Sequence, residues 1–124
     1  MINVCLDCRD ADELAGFYRS LFGWEISNSD GHGWIQLSDP NNGVGLNIQA
    51  ADWYEPPVWP EQSGQQTKML HFEILVDDLE AAVAHTIAAG GRESPWQPAD
   101  RDRNGIRVML DPAGHPFCLF TPGE

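Results

Sequence analysis

Polar and apolar positions alternate along Asn3-Val4-Cys5-Leu6-Asp7-Cys8-Arg9-Asp10, and His71-Phe72-Glu73-Ile74-Leu75-Val76-Asp77-Asp78 forms a near-continuous apolar run. Both patterns predict strands, and the second segment lies over the first residue for residue. Each is followed by a stretch of helical period. After Asp10, with Glu13 three residues on as in a capping box, Leu14, Phe17 and Leu21 recur on one face. In the second copy Asp77 and Glu80 have the capping spacing, and Leu79, Val83 and Ile87 form the stripe. Gly23 and Gly91 fall in register past the two helices, where a left-handed residue ends a helix at least cost.

Short strands are predicted beyond each helix. Trp24–Ser27 and Trp34–Leu37 flank the turn Asp30-Gly31-His32-Gly33, and Ile106–Leu110 follows Asn104-Gly105. Asp39-Pro40-Asn41-Asn42-Gly43 and Asp111-Pro112-Ala113-Gly114 are matching turns. They lead into final strands at Leu46–Gln49 and Phe117–Phe120. Each half reads strand–helix–strand–strand–strand, so the fold class is α+β with two paired βαβββ modules. The expected organisation is a single domain over 1–124, with module 1 about 1–50, a linker at 51–67 and module 2 about 68–122. The linker lacks periodicity but carries Trp53, Tyr54 and Trp59, which argues that it packs over something. A second irregular stretch, 92–104, holds Trp96 and a mixed-charge run that reads as a solvated loop.

Charge narrows the partners. Nineteen acidic residues face seven basic ones, a net charge of −12, which repels phosphate backbones and anionic membranes. Neither nucleic acid nor membrane is expected as a partner. No run approaches the ~20 apolar residues of a membrane span, and the first residues show no signal-peptide pattern. With three cysteines, Cys5, Cys8 and Cys118, the expected location is cytoplasmic. Cys5 and Cys8 point to opposite faces of a strand, so Cys8 reads as core rather than as half of a redox pair. His32 is expected in solvent, His85 partly buried at the position equivalent to Phe17, and His115 in a turn hydrogen bond.

The residues Leu6–Glu25, His71–Asp78 and Asp111–Phe120, with the paired modules, resemble the vicinal oxygen chelate superfamily of glyoxalases, bleomycin resistance proteins and extradiol dioxygenases. The resemblance implies that the modules form a cupped mixed sheet with a ligand cleft, and that subunits form a homodimer. It also implies metal-ligand positions, which fall on Asn3, Asn47, His71 and Cys118. Only His71 keeps the type usual in the metal-dependent members. Neutral carboxamides bind transition ions weakly, and catalytic zinc needs three strong ligands. No cofactor is therefore favoured; the alternative is a divalent metal on His71, Glu73 and Cys118.

The faces of the first and last strands place Asp7, Asn47, His71, Glu73, Cys118 and Phe120 toward the cleft, and the linker adds Trp53 and Trp59. These are the candidate ligand-binding residues; no catalytic residue is assigned. Arg107 or Arg9 would neutralise the acids. The facing of Trp34, Gln36, Arg107 and Met109 stays open, because the two repeats give conflicting parity. The expected function is a small-molecule binder that sequesters a cationic or aromatic ligand. The alternative is a metal-dependent lyase, isomerase or dioxygenase using His71 and Glu73.

Overall fold

The computed structural model describes residues 2–122; the expected outer bounds at 1 and 124 lie outside them. The chain divides into two units, Met1–Glu55 and Pro56–Glu124. The division falls within the stretch expected as a linker and puts Trp53 and Trp59 in different units. Each unit carries one helix and one four-stranded mixed sheet, so the βαβββ order occurs twice.

In the first unit, β1 (Asn3–Cys8), α1 (Ala11–Phe22), β2 (Glu25–Ser29), β3 (Trp34–Ser38) and β4 (Gly45–Ala50) give the sheet order β1-β4-β3-β2. β1 runs parallel to β4 and the remaining pairs are antiparallel. Asp10 caps α1 by accepting the Glu13 N–H at 3.1 Å. Gly23, at φ 70°, closes the helix through an N–H to the Arg19 carbonyl at 2.9 Å. Leu14, Phe17 and Tyr18 are buried against Leu6, Cys8, Ile35, Leu37, Leu46 and Ile48. Each such apolar side chain contributes ~1.5–3 kcal/mol on burial. Leu21 is only half-buried, and Tyr18 takes the inner place.

The second unit contains β5 (Glu73–Leu75), α2 (Leu79–Ala89), β6 (Arg92–Glu93), β7 (Ile106–Leu110) and β8 (Pro116–Phe120), in the order β5-β8-β7-β6. β5 pairs parallel with β8 over three residues. The ladder continues at both ends, as Cys118 N–H donates to the Phe72 carbonyl and Val76 N–H to that of Phe120, each at 2.8 Å.

α2 corrects four sequence expectations. Its N-cap is Asp78, which accepts from Ala81 N–H at 3.1 Å, not Asp77. It ends at Gly90, with φ 116°, rather than Gly91. Its buried face is Leu79, Val83 and Thr86, while Ile87 is 52% exposed. Thr86 can be fully buried because its hydroxyl donates to the Ala82 carbonyl at 2.8 Å, which satisfies the one polar group it brings inside. His85, seventh in α2 as Phe17 is in α1, is exposed rather than partly buried. No helix among the described residues is long and apolar enough to cross a membrane.

Candidate ligand-binding site

Strand register settles which side chains share a face. In the first unit Cys5 pairs with Asn47 and Asn47 with Gln36; Asp7 pairs with Gln49 and Gln49 with Trp34. Since directly paired residues point the same way, Trp34 and Gln36 join Asn3, Cys5, Asp7, Asn47 and Gln49 on the face away from α1. In the second unit Val108 pairs with Cys118 and Ile106 with Phe120, whereas Arg107 pairs with Leu119 and Met109 with Phe117. Arg107 and Met109 therefore lie on the α2 side, and both are buried.

On the first unit's open face, Asn3 Nδ2 donates to Asn47 Oδ1 at 3.2 Å, and Gly45 N–H donates to Asn3 Oδ1 at 3.2 Å. A Cβ at Gly45 would lie 2.8 Å from that same oxygen, so glycine is what lets the Asn3 carboxamide lie over β4. Asp7 and Cys5 are exposed on this face. Trp53 is 84% exposed. Neither arginine offered as a counter-ion serves the candidate acids. Arg9 Nε donates to the Tyr54 carbonyl at 3.0 Å, and Arg107 bonds Glu80 at 2.8 Å and Glu93 at 3.1 Å.

The second unit holds a cavity of about 1100 Å³. Five of the eight sequence-derived candidates line it, namely Trp59, His71, Glu73, Cys118 and Phe120, and Trp96 joins them. The Trp59 ring centroid lies 4.9 Å from that of His71 and 5.4 Å from that of Trp96. His71 Nε2 is 3.3 Å from Glu73 Oε1, so the partner of Glu73 is the histidine two residues back, just before β5 begins. At the cavity floor, burial pushes the Cys118 thiol up to about 11, with Glu73 adding to the shift and Lys68 opposing it. The loop that follows Trp96 supplies Asp100, Arg101 and Asp102 to the lining. Trp96 was missed as a site residue because it sits in an aperiodic, charged stretch. Its signal was the one that singled out Trp59: a large aromatic where a solvated loop would carry none.

A family model described as a glyoxalase-like domain matches residues 3–120. The chain belongs to the glyoxalase-like domain family. It is accordingly a member of the vicinal oxygen chelate superfamily, and solved structures with the same fold agree. One is a mutant of the fosfomycin resistance protein FosX from Listeria monocytogenes, complexed with Mn(II) and 1S,2S-dihydroxypropylphosphonic acid. It is 16% identical with a TM-score of 0.69, over 97% of this chain and 87% of that one. A glyoxalase/bleomycin resistance protein/dioxygenase family enzyme from Burkholderia phytofirmans PsJN is 23% identical at TM-score 0.63, over 96% and 95% of the two chains. A possible glyoxalase from Bacillus cereus is 14% identical at TM-score 0.67, over 97% and 96%. At these identities the likeness shows the fold alone. A search of curated proteins found no sequence match.

The glyoxalase-like chain carries a donor set that does not fit a divalent ion. Asn3 and Asn47 are neutral carboxamides bonded to one another. His71 and Cys118, in the second unit, leave that set short of the three strong donors a catalytic site needs. Among the described residues no three His, Cys, Asp or Glu side chains gather in a way that could hold a metal ion.

Proposed function

We propose that this glyoxalase-like protein binds and sequesters a small aromatic molecule, charged or uncharged, in the cavity of its second unit. The observation that carries this reading is the nest of Trp59, His71 and Trp96 rings on the wall of a space of about 1100 Å³. That volume suits a drug-sized ligand. Offset aromatic contacts add ~0.5–1.5 kcal/mol each beyond burial, and Phe120 adds apolar wall. His71 and Glu73 provide the polar group that orients the ligand. The proposal rests on these unit-two residues; Asp7, Asn47 and Trp53 lie in the other unit.

The reading as a metal-dependent lyase, isomerase or dioxygenase draws on the 3.3 Å contact of His71 with Glu73, but among the described residues no third His, Cys, Asp or Glu gathers with that pair in a way that could hold a metal ion. Three cysteines that form no disulfide among the described residues support a reducing, cytoplasmic setting. The homodimer belongs to the same proposal, supported by the exposed Met69, Leu70 and Leu75 of the second unit, and sedimentation velocity measures it.

Calorimetric titration with 2-naphthalenemethanol, before and after treatment with a chelator, tests the binding reading. Saturable binding that survives the chelator and weakens about tenfold in Trp59→Leu, while Trp53→Ala leaves it within about twofold, is expected. Binding lost with the chelator, or indifferent to Trp59→Leu, overturns it.

A further inference from the structure

Lys68 is the only lysine among 124 residues that include nineteen acids. A single ammonium in so acidic a chain would ordinarily be hydrated at the surface. Its side chain is instead only 14% exposed. Its Nζ lies over the Trp59 ring, 4.3 Å from the centroid, and is paired with the Glu61 carboxylate. The hydrogen bond from Lys68 holds the Glu61 carboxyl below its ordinary value. Trp59 lines the cavity, and Lys68 is not among the lining residues.

An indole face and a carboxylate together make a cation seat, because the ring quadrupole and the anion attract the same charge. We propose that Lys68 is the chain's own occupant of that seat, an internal ligand that holds Trp59 as a cavity wall and selects against cations there. An ammonium on one face of an indole draws on the ring's negative potential and repels a second cation brought to the other face. What Trp59 accepts from a ligand in the cavity is then an uncharged aromatic ring. A positive group on a ligand would have to lie toward Glu73 rather than over the indole. The specificity half of this inference rests on the cavity being a binding site; the seat itself does not.

Two arms keep these apart. The first needs no cavity ligand. Lys68→Ala empties the seat and lowers the melting temperature, and n-propylammonium chloride is expected to restore it, more than equal tetramethylammonium chloride or sodium chloride does. Lys68→Met, whose side chain fills the space, gains nothing from the amine. Absence of rescue, or equal gain in wild type and Lys68→Met, overturns the internal-ligand assignment.

The second arm compares 2-naphthylmethylammonium with 2-naphthalenemethanol. In wild type the ammonium probe binds no tighter than the alcohol despite the charge of −12. In the charge-conserving double variant Glu61→Gln with Lys68→Met, the ratio shifts about fivefold toward the ammonium. An unchanged ratio, or a wild-type preference for the ammonium, overturns the selectivity. Binding of neither probe overturns both the selectivity and the binding-site reading, while amine rescue still decides whether Lys68 fills a seat.

Discussion

His115 Nδ1 lies 2.8 Å from Oδ2 of Asp111, a residue with no solvent exposure. The Asp111 carboxylate also accepts the Ala113 N–H at 3.0 Å and the His115 N–H at 2.9 Å. One side chain thus ties together the turn that feeds β8, the strand carrying Cys118 and Phe120. Asp111→Ala removes the acceptor of two part-buried N–H groups and the partner of the His115 ring and is expected to cost about 3 kcal/mol, with Asp111→Asn costing less because one carbonyl oxygen still accepts. Urea unfolding at neutral pH measures both, and equal midpoints for wild type and Asp111→Ala would refute the role.

Arg107 shows how burial decides the worth of an ion pair. Its side chain is 5% exposed, and it bonds Glu80, Glu93 and the Arg103 carbonyl. Glu80 is 72% exposed at its side chain. Arg107→Ala is expected to destabilise by about 2 kcal/mol through lost packing and the lost bond to the Arg103 carbonyl, while Glu93 keeps Arg103 as a partner at 2.6 Å. Glu80→Gln is expected to change stability by less than about 0.5 kcal/mol. Similar losses in the two variants, read from chemical denaturation, would contradict this account.

The cap of α2 separates Asp78 from its neighbour. Asp78→Ala removes the acceptor of the Ala81 N–H and should cost about 1 kcal/mol, while Asp77→Ala should cost no more than a few tenths. Thermal melts followed by far-ultraviolet circular dichroism give the comparison; the reverse order would move the cap back to Asp77.

The cysteines differ in burial and in acidity. Cys118 is raised from 9.0 to about 11 by burial first. Cys5 is raised by burial first and then by Asp7. With Ellman's reagent at pH 8, Cys5 is expected to react alone and slowly, and faster in Asp7→Asn, with Cys8 and Cys118 reacting only on unfolding. Between pH 9 and about 11 the native state keeps the Cys118 proton and the unfolded chain releases it. The contribution of this thiol is therefore full below pH 9 and declines as the pH climbs toward 11. Rapid titration of two thiols in the native protein, or stability that rises across that interval, would contradict the assignment.

Much of this architecture was legible along the chain. Period-two and helical patterns located both βαβββ halves, and the Asp10 cap and Gly23 stop occur where the capping logic puts them. The alignment of Asp10 over Asp78 was itself the sign that Asp78 rather than Asp77 caps α2. The competing capping-box spacing of Asp77 with Glu80 hid it. Thr86 displaced Ile87 from the inner face because a hydroxyl can bond the preceding turn, which a count of apolar residues does not register.

Local periodicity determined the elements, their order and the identity of Glu73, His71, Cys118 and Phe120 as residues of one face, because side-chain direction in a strand follows from alternation alone. Only the tertiary structure decided the parity of Trp34 and Arg107, the partners of Arg9 and Arg107, the seating of Lys68 against Trp59, and the meeting of Trp59 and Trp96 on one cavity wall. Those depend on strand register and on where aperiodic loops come to rest. Both are set by packing between residues distant in sequence, and no local pattern encodes them.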